Sequence, residues 1–133
     1  MEGVEQAVTR IRFPGIRTQI LEAIEGLADR EYQERVWIRH ELPHPGYYDE
    51  LDLAVHTLFD DSPLLPAPAP GCVGELIYPD EEAPIAHLGE IFGSILEELG
   101  DVPDIEYLNH PKWPELVRRA GIVHEIMKRN EEE

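Results

Sequence analysis

Four of the twelve prolines fall between residues 60 and 72, in DDSPLLPAPAPGC, and this stretch constrains the fold more than any other. Proline has no amide proton and a locked φ, so the stretch is excluded from a helix interior and from a central strand. PAPAP favours polyproline II and reads as a stiff spacer, a connection inside a small domain. Pro43 and Pro45, with Gly46, break the chain a second time. Pro14, Pro84 and Pro114 stand where helices begin, the place a helix tolerates proline best.

Between these breaks the apolar residues recur at helical spacing. Ile16, Ile20, Ala23, Ile24 and Leu27 form one face of a first helix. Asp29 is positioned to cap a second, ADREYQERVWIR, with Tyr32, Val36 and Trp37 inward and Glu31 paired to Arg35 on the outside. A third runs through YYDELDLAVHTLF, with Tyr48, Leu51, Val55, Leu58 and Phe59 as its core face. The fourth, from Asp80 to Gly100, carries a wide stripe that includes Ile85, Leu88, Phe92 and Ile95, with Asp80 as its cap. Gly89 and Gly93 on it are read as ordinary helix packing. After a short helical piece in DVPDIEYLNHP, a last helix starts near Lys112 and buries Trp113, Leu116, Val117, Ala120, Val123 and Met127. VGELIY at 73–78 is a short strand candidate with no obvious partner strand, expected either to pair with the N-terminal arm or to be simply extended. The expectation is a mainly α, single compact domain over 1–133, of four or five helices with at most a short β element near 73–78. Residues 1–13 are an arm or short first helix, 60–72 the internal loop, and 130–133 a frayed tail.

Charge is the most informative bulk property. The formal net charge is −17, from 28 acidic and 11 basic residues. Residues 41–111 hold 16 of the acidic residues and no Lys or Arg. A field of that sign opposes nucleic acid and anionic membranes and attracts a basic protein or a hard cation. With 42% hydrophobic residues the chain can build a core. No apolar run reaches the roughly 18 residues of a membrane span. The N-terminus lacks the pattern of a signal peptide, and the single cysteine, Cys72, has no internal partner. A cytoplasmic, reducing location is expected.

Chemistry-bearing patterns are few. His40, Glu41 and His44 spell H-E-x-x-H, which binds zinc only when one helix turn carries both histidines. Pro43 inside the motif and Pro45 after it forbid that helix. Leu51, Leu53 and Ala54 stand where a close third ligand is needed. Asp49, Asp52 and His56 offer a better metal set, on one face of the third helix. Cys72, Ser62 and Ser94 have no nucleophile motif around them, and no glycine-rich phosphate loop is present. Neither a catalytic residue nor a cofactor is expected.

The stretch DREYQERVWIRHELPHPGYYDELDLAVHTLFDD, residues 29–61, resembles a family of small, acidic, uncharacterised proteins found mainly in actinobacteria. Its D-x-x-YQ-x-x-VW helix, proline-rich turn and YYD…D…VH…LFDD helix carry the likeness, and HPKWPELVRRA at 110–120 resembles the family's closing segment. The resemblance implies a bacterial, cytoplasmic protein and brings no activity or ligand with it.

The leading expectation is a non-enzymatic interaction protein of immunity or antitoxin type that binds a basic protein such as a toxin. Its expected surface is Asp49, Asp52, Asp60, Asp61, Asp80, Glu81 and Glu82. The alternatives are a metal-binding helical domain using Asp49, Asp52 and His56, and a structural or regulatory domain whose acidity serves solubility. Oligomeric state is left open.

Overall fold

The computed structural model describes residues 10–132. Seven α-helical segments are present among them: α1 (Pro14–Leu27), α2 (Arg30–Tyr32), α3 (Leu51–Val55), α4 (Cys72–Glu75), α5 (Glu82–Leu99), α6 (Asp104–Leu108) and α7 (Trp113–Glu131). Two of them change pitch. α2 runs on as a π-helix, Gln33–Ile38, and α3 as another, His56–Asp60. The wider turn is visible in the bonds from Arg39 N to Glu34 O (3.0 Å) and from Asp61 N to His56 O (2.7 Å). A 3₁₀ turn, Pro79–Glu81, leads into α5.

α7 packs on both α1 and α5, and α3 with its π extension lies against α1. The ring closes where Phe59 meets Phe92 edge-on, with centroids 5.3 Å apart. Phe92 continues the contact to Trp113 (6.5 Å), and Trp113 to Tyr107 (6.4 Å), so an aromatic chain threads the core. Ile20, Ile24, Leu58, Leu88, Ile95 and Leu116 are fully buried around it. Gln33 is a fully buried polar side chain beside this aromatic chain. It donates to Gly26 O (2.8 Å) and Leu27 O (3.0 Å), satisfying the end of α1, and accepts from Trp113 Nε1 (2.9 Å).

Several expectations change. The strand at 73–78 is absent: 72–75, labelled α4, is a tight turn in which Val73 (ψ 120°) and Gly74 (φ 100°) depart from helical geometry, and only an isolated bridge joins Val73 to Ile77. The arm does reach this segment, through Arg12 N to Gly74 O (3.1 Å) and Phe13 N to Glu75 O (2.9 Å), whereas residues 1–9 lie outside the described ones. Tyr48 is 63% exposed because α3 begins at Leu51, so its tyrosine never enters the helical face. Ile16 is likewise exposed. Asp29 does cap α2, accepting from Tyr32 N at 3.0 Å, but the outer ion pair is Arg30 with Glu34 (2.8 Å). Asp80 does not cap α5; in the turn before it, Glu81 accepts from Tyr78 N (2.9 Å). The tail is docked through residue 131: Glu131 pairs with Arg17 (2.5 Å) and Asn130 donates to Asp80 (2.9 Å). Residue 133 lies outside the described residues.

Candidate functional site

The segment between the two π-helices brings a set of polar side chains together beside two clefts. α2 ends in a reversal at His40, whose φ of 57° is in the left-handed region, and residues 39–50 contain no helix. His40, Glu41 and His44 therefore never share a helix face, as their prolines require. The chain returns through Tyr47 and Tyr48 to Asp49. Asp49 Oδ2 accepts from Tyr32 OH (2.5 Å) and from Trp37 Nε1 (3.1 Å). The Tyr32 and Tyr47 hydroxyl oxygens are 2.5 Å apart. Burial, then the bonds to Asp49 and Tyr47, push the Tyr32 phenol far above its ordinary range, so it stays a donor.

Two clefts flank this segment, and Trp37 lines both. The larger, about 910 Å³, lies between the start of α3 and the 100–105 turn; Leu51, Val55 and Ile105 supply apolar wall, and Glu50, Asp52, Asp101 and Asp104 its carboxylates. The smaller, about 580 Å³, lies between α1 and residues 47–57; its rings are Tyr32, Trp37, Tyr47 and Tyr48, and its carboxylates Glu22, Glu25, Asp29 and Asp49. Neither lining contains Lys or Arg. Asp104 is half-buried and accepts from Leu51 N (3.1 Å), capping α3 from a distant part of the chain. Burial raises its carboxyl above the usual range; the Leu51 bond works against that rise, and Asp52 adds to it.

The seven residues expected to form one acidic surface divide. Asp49 and Asp52 sit at the clefts. Asp60 lies two turns beyond Asp52 on the same helical face, and His56, one turn from each, bridges the two, its Nδ1 2.8 Å from Asp60 and its Nε2 3.3 Å from Asp52. The bond to Asp60 and the charge of Asp52 raise the His56 pKa. Asp61 is exposed at the end of the π turn. Asp80, Glu81 and Glu82 line neither cleft. Glu81 is not on the surface at all: it is fully buried, and both its oxygens accept from Arg17 at 2.8 Å. Asp80 lies 4.0 Å from Arg129.

The metal set also separates. Asp49 turns to Tyr32 and Trp37, while Asp52 and His56 face each other. Among the described residues no group of three or more His, Cys, Asp or Glu side chains is arranged to hold a metal ion. Cys72 is buried, donates to Pro63 O (3.4 Å), and has its thiol pushed up by burial.

Sequence reasoning missed Glu22, Glu25 and Asp29 on one side and Glu50, Asp101 and Asp104 on the other. The available signal was the exposed face of the first helix, which alternates with its apolar face and carries Glu22 and Glu25 without a base. Counting charge by segment hid it, because the arginines of residues 1–40 are used elsewhere. Arg17 is buried, Arg30 pairs with Glu34, and Arg39 with Glu41 at 2.8 Å.

Fold and site together define a mainly helical protein with paired acidic clefts, one of them walled by aromatic rings. The chain belongs to the family described as Domain of unknown function (DUF7945), whose model matches residues 11–133. No curated protein and no solved structure matches it. None of its helices is long and apolar enough to cross a membrane, among the described residues.

Proposed function

We propose that this is a non-enzymatic binding protein of immunity or antitoxin type, working in the cytoplasm of a bacterium, which engages a basic protein through the two clefts beside the start of α3. One observation carries the reading: eight carboxylates line the clefts, and no Lys or Arg does. Concave walls of low dielectric focus such a field, raising the local concentration of a cationic partner and the rate of encounter. Tyr48 and Leu53 at the smaller cleft and Ile105 at the larger one are exposed, and they offer the aromatic and aliphatic surface that an interface needs beneath a charged rim.

The test compares three exposed cleft carboxylates with three exposed carboxylates outside it. A variant carrying Glu25→Gln, Asp52→Asn and Asp101→Asn is set against one carrying Glu82→Gln, Glu90→Gln and Glu97→Gln. Both lose the same formal charge. Affinity capture from the native host at low and high salt is expected to recover a basic protein with wild type and with the control. The cleft variant should bind it more weakly by about 1–2 kcal/mol, with roughly 0.2–1 kcal/mol from each exposed charge. Equal weakening in both variants, or no basic protein at low salt, defeats the proposal.

A further inference from the structure

The smaller cleft has a directional hydrogen-bond chain at its wall. Tyr32 has one hydroxyl proton and gives it to Asp49 Oδ2 at 2.5 Å, so in the 2.5 Å contact between the two phenols Tyr47 is the donor. Trp37 Nε1–H ends on the same Asp49 oxygen at 3.1 Å. Every donor in this set of four side chains is spent inside it. What remains is accepting capacity: the lone pairs of the Tyr47 oxygen and the Asp49 Oδ1 atom, which receives no hydrogen bond among the described residues. Glu22 and Glu25 add exposed carboxylates on the facing helix. A ligand that satisfies such a wall must donate and must not accept. Guanidinium and alkylammonium groups are the biological groups with that property.

The rings select further within that class. Tyr32 and Trp37 meet edge-on, with centroids 6.5 Å apart, and Tyr48 stands 63% exposed over the same cleft. Aromatic faces attract organic cations through the ring quadrupole. A hydrated metal ion gains little from them and lacks a preorganised oxygen cage here. The chain already uses one of these rings in this way: the Arg35 guanidinium carbon lies 5.8 Å from the Tyr32 centroid, and Arg35 is outside the cleft lining. A volume of about 580 Å³ is ample for one such side chain.

We propose that this cleft is a recognition site for an organic cation, a guanidinium or ammonium head group held between the aromatic rings and Asp49. The proposal rests on the charge-driven reading above and deepens it, since the cleft then anchors one basic side chain of the partner.

The experiment titrates the ¹⁵N-labelled full chain with three probes: agmatine, a short peptide with a central arginine, and the same peptide with citrulline. The readout is the indole N–H resonance of Trp37; that of Trp113, bonded to Gln33 in the core, serves as the internal control. The arginine peptide is expected to move the Trp37 signal saturably and the citrulline peptide to leave it in place. Agmatine binding as tightly as the peptide identifies a free amine as the source of the cation; weaker binding identifies a basic protein. Tyr48→Ala, at an exposed position, should weaken binding about two- to five-fold without altering thermal melting. An immobile Trp37 signal, or equal shifts with citrulline, overturns the cation site. If that happens while the cleft-neutralised variant still loses its basic protein, the charge-driven reading stands alone. Binding at Trp37 with no basic protein captured leaves the cation site standing and removes the protein partner.

Discussion

At the scale of single residues, Asp104 shows how the site borrows its geometry from a distant segment. It accepts from Leu51 N at 3.1 Å, supplying the cap that α3 lacks in its own sequence. Asp104→Ala leaves that amide without its partner and is expected to lower stability by about 0.5–1.5 kcal/mol. Asp104→Asn keeps an acceptor and removes a charge that burial and Asp52 disfavour. The pH dependence follows from the upward shift. A carboxyl raised above its unfolded value contributes stability below the unfolded carboxylate range, and that contribution is lost as pH rises through the raised value. Wild type should therefore gain in melting temperature relative to Asp104→Asn on acidification through this range. Thermal melts across a pH series check it; a constant difference between the two proteins contradicts it.

At the scale of elements, the proline-rich loop does more than connect. A Cβ on Gly89 would lie 2.0 Å from Pro66 O and 2.8 Å from Leu65 Cδ2, so α5 needs a glycine there for the loop to lie against it. The close approach is made by the loop, where ordinary helix packing was expected. Gly89→Ala should cost about 1–3 kcal/mol by forcing the loop away. Gly93 is one turn on, and its Cβ would meet Pro66 Cβ only at 3.9 Å. Gly93→Ala should be neutral or stabilising by up to about 1 kcal/mol through helix propensity. Denaturant unfolding of the two variants separates these outcomes, and equal effects would falsify the packing argument. The two π-helices act at the same scale. Gln33–Ile38 carries Trp37 and His56–Asp60 carries Thr57, so each wide turn contributes a side chain to the smaller cleft.

At the scale of the molecule, one buried ion pair ties the ends of the chain together. Arg17 of α1 bonds both oxygens of Glu81 at 2.8 Å, Leu76 O at 3.0 Å and Glu131 at 2.5 Å. Glu81 also accepts from Tyr78 N (2.9 Å) and Asn130 (2.8 Å). α1, the turn before α5 and the end of α7 are thus held at one point. Arg17→Met strands a buried carboxylate and should cost about 3–5 kcal/mol. Adding Glu81→Leu removes the stranded charge and should recover part of that loss, which a double-mutant cycle by chemical denaturation measures. The pair also withdraws an acidic residue from the surface charge, so the charge balance of the sequence overstates what a partner meets at this end and understates it at the clefts.

The linear chain by itself determined where helices can run and which of their faces turn inward. Prolines act on their own and adjacent residues, and apolar spacing of three and four has one geometric meaning, so α1, α5 and α7 were legible with their buried Ile20, Ile24, Phe92, Trp113 and Met127. The failure of the H-E-x-x-H spelling was legible for the same local reason. Only the tertiary structure decided which carboxylates act together. Asp49 joins Tyr32 and Trp37, Asp104 joins Leu51, and Glu81 disappears into the core with Arg17. Each of these partnerships joins residues 12 to 64 positions apart in the chain. Electrostatic effects depend on distance and burial in space, and a count along the sequence contains neither.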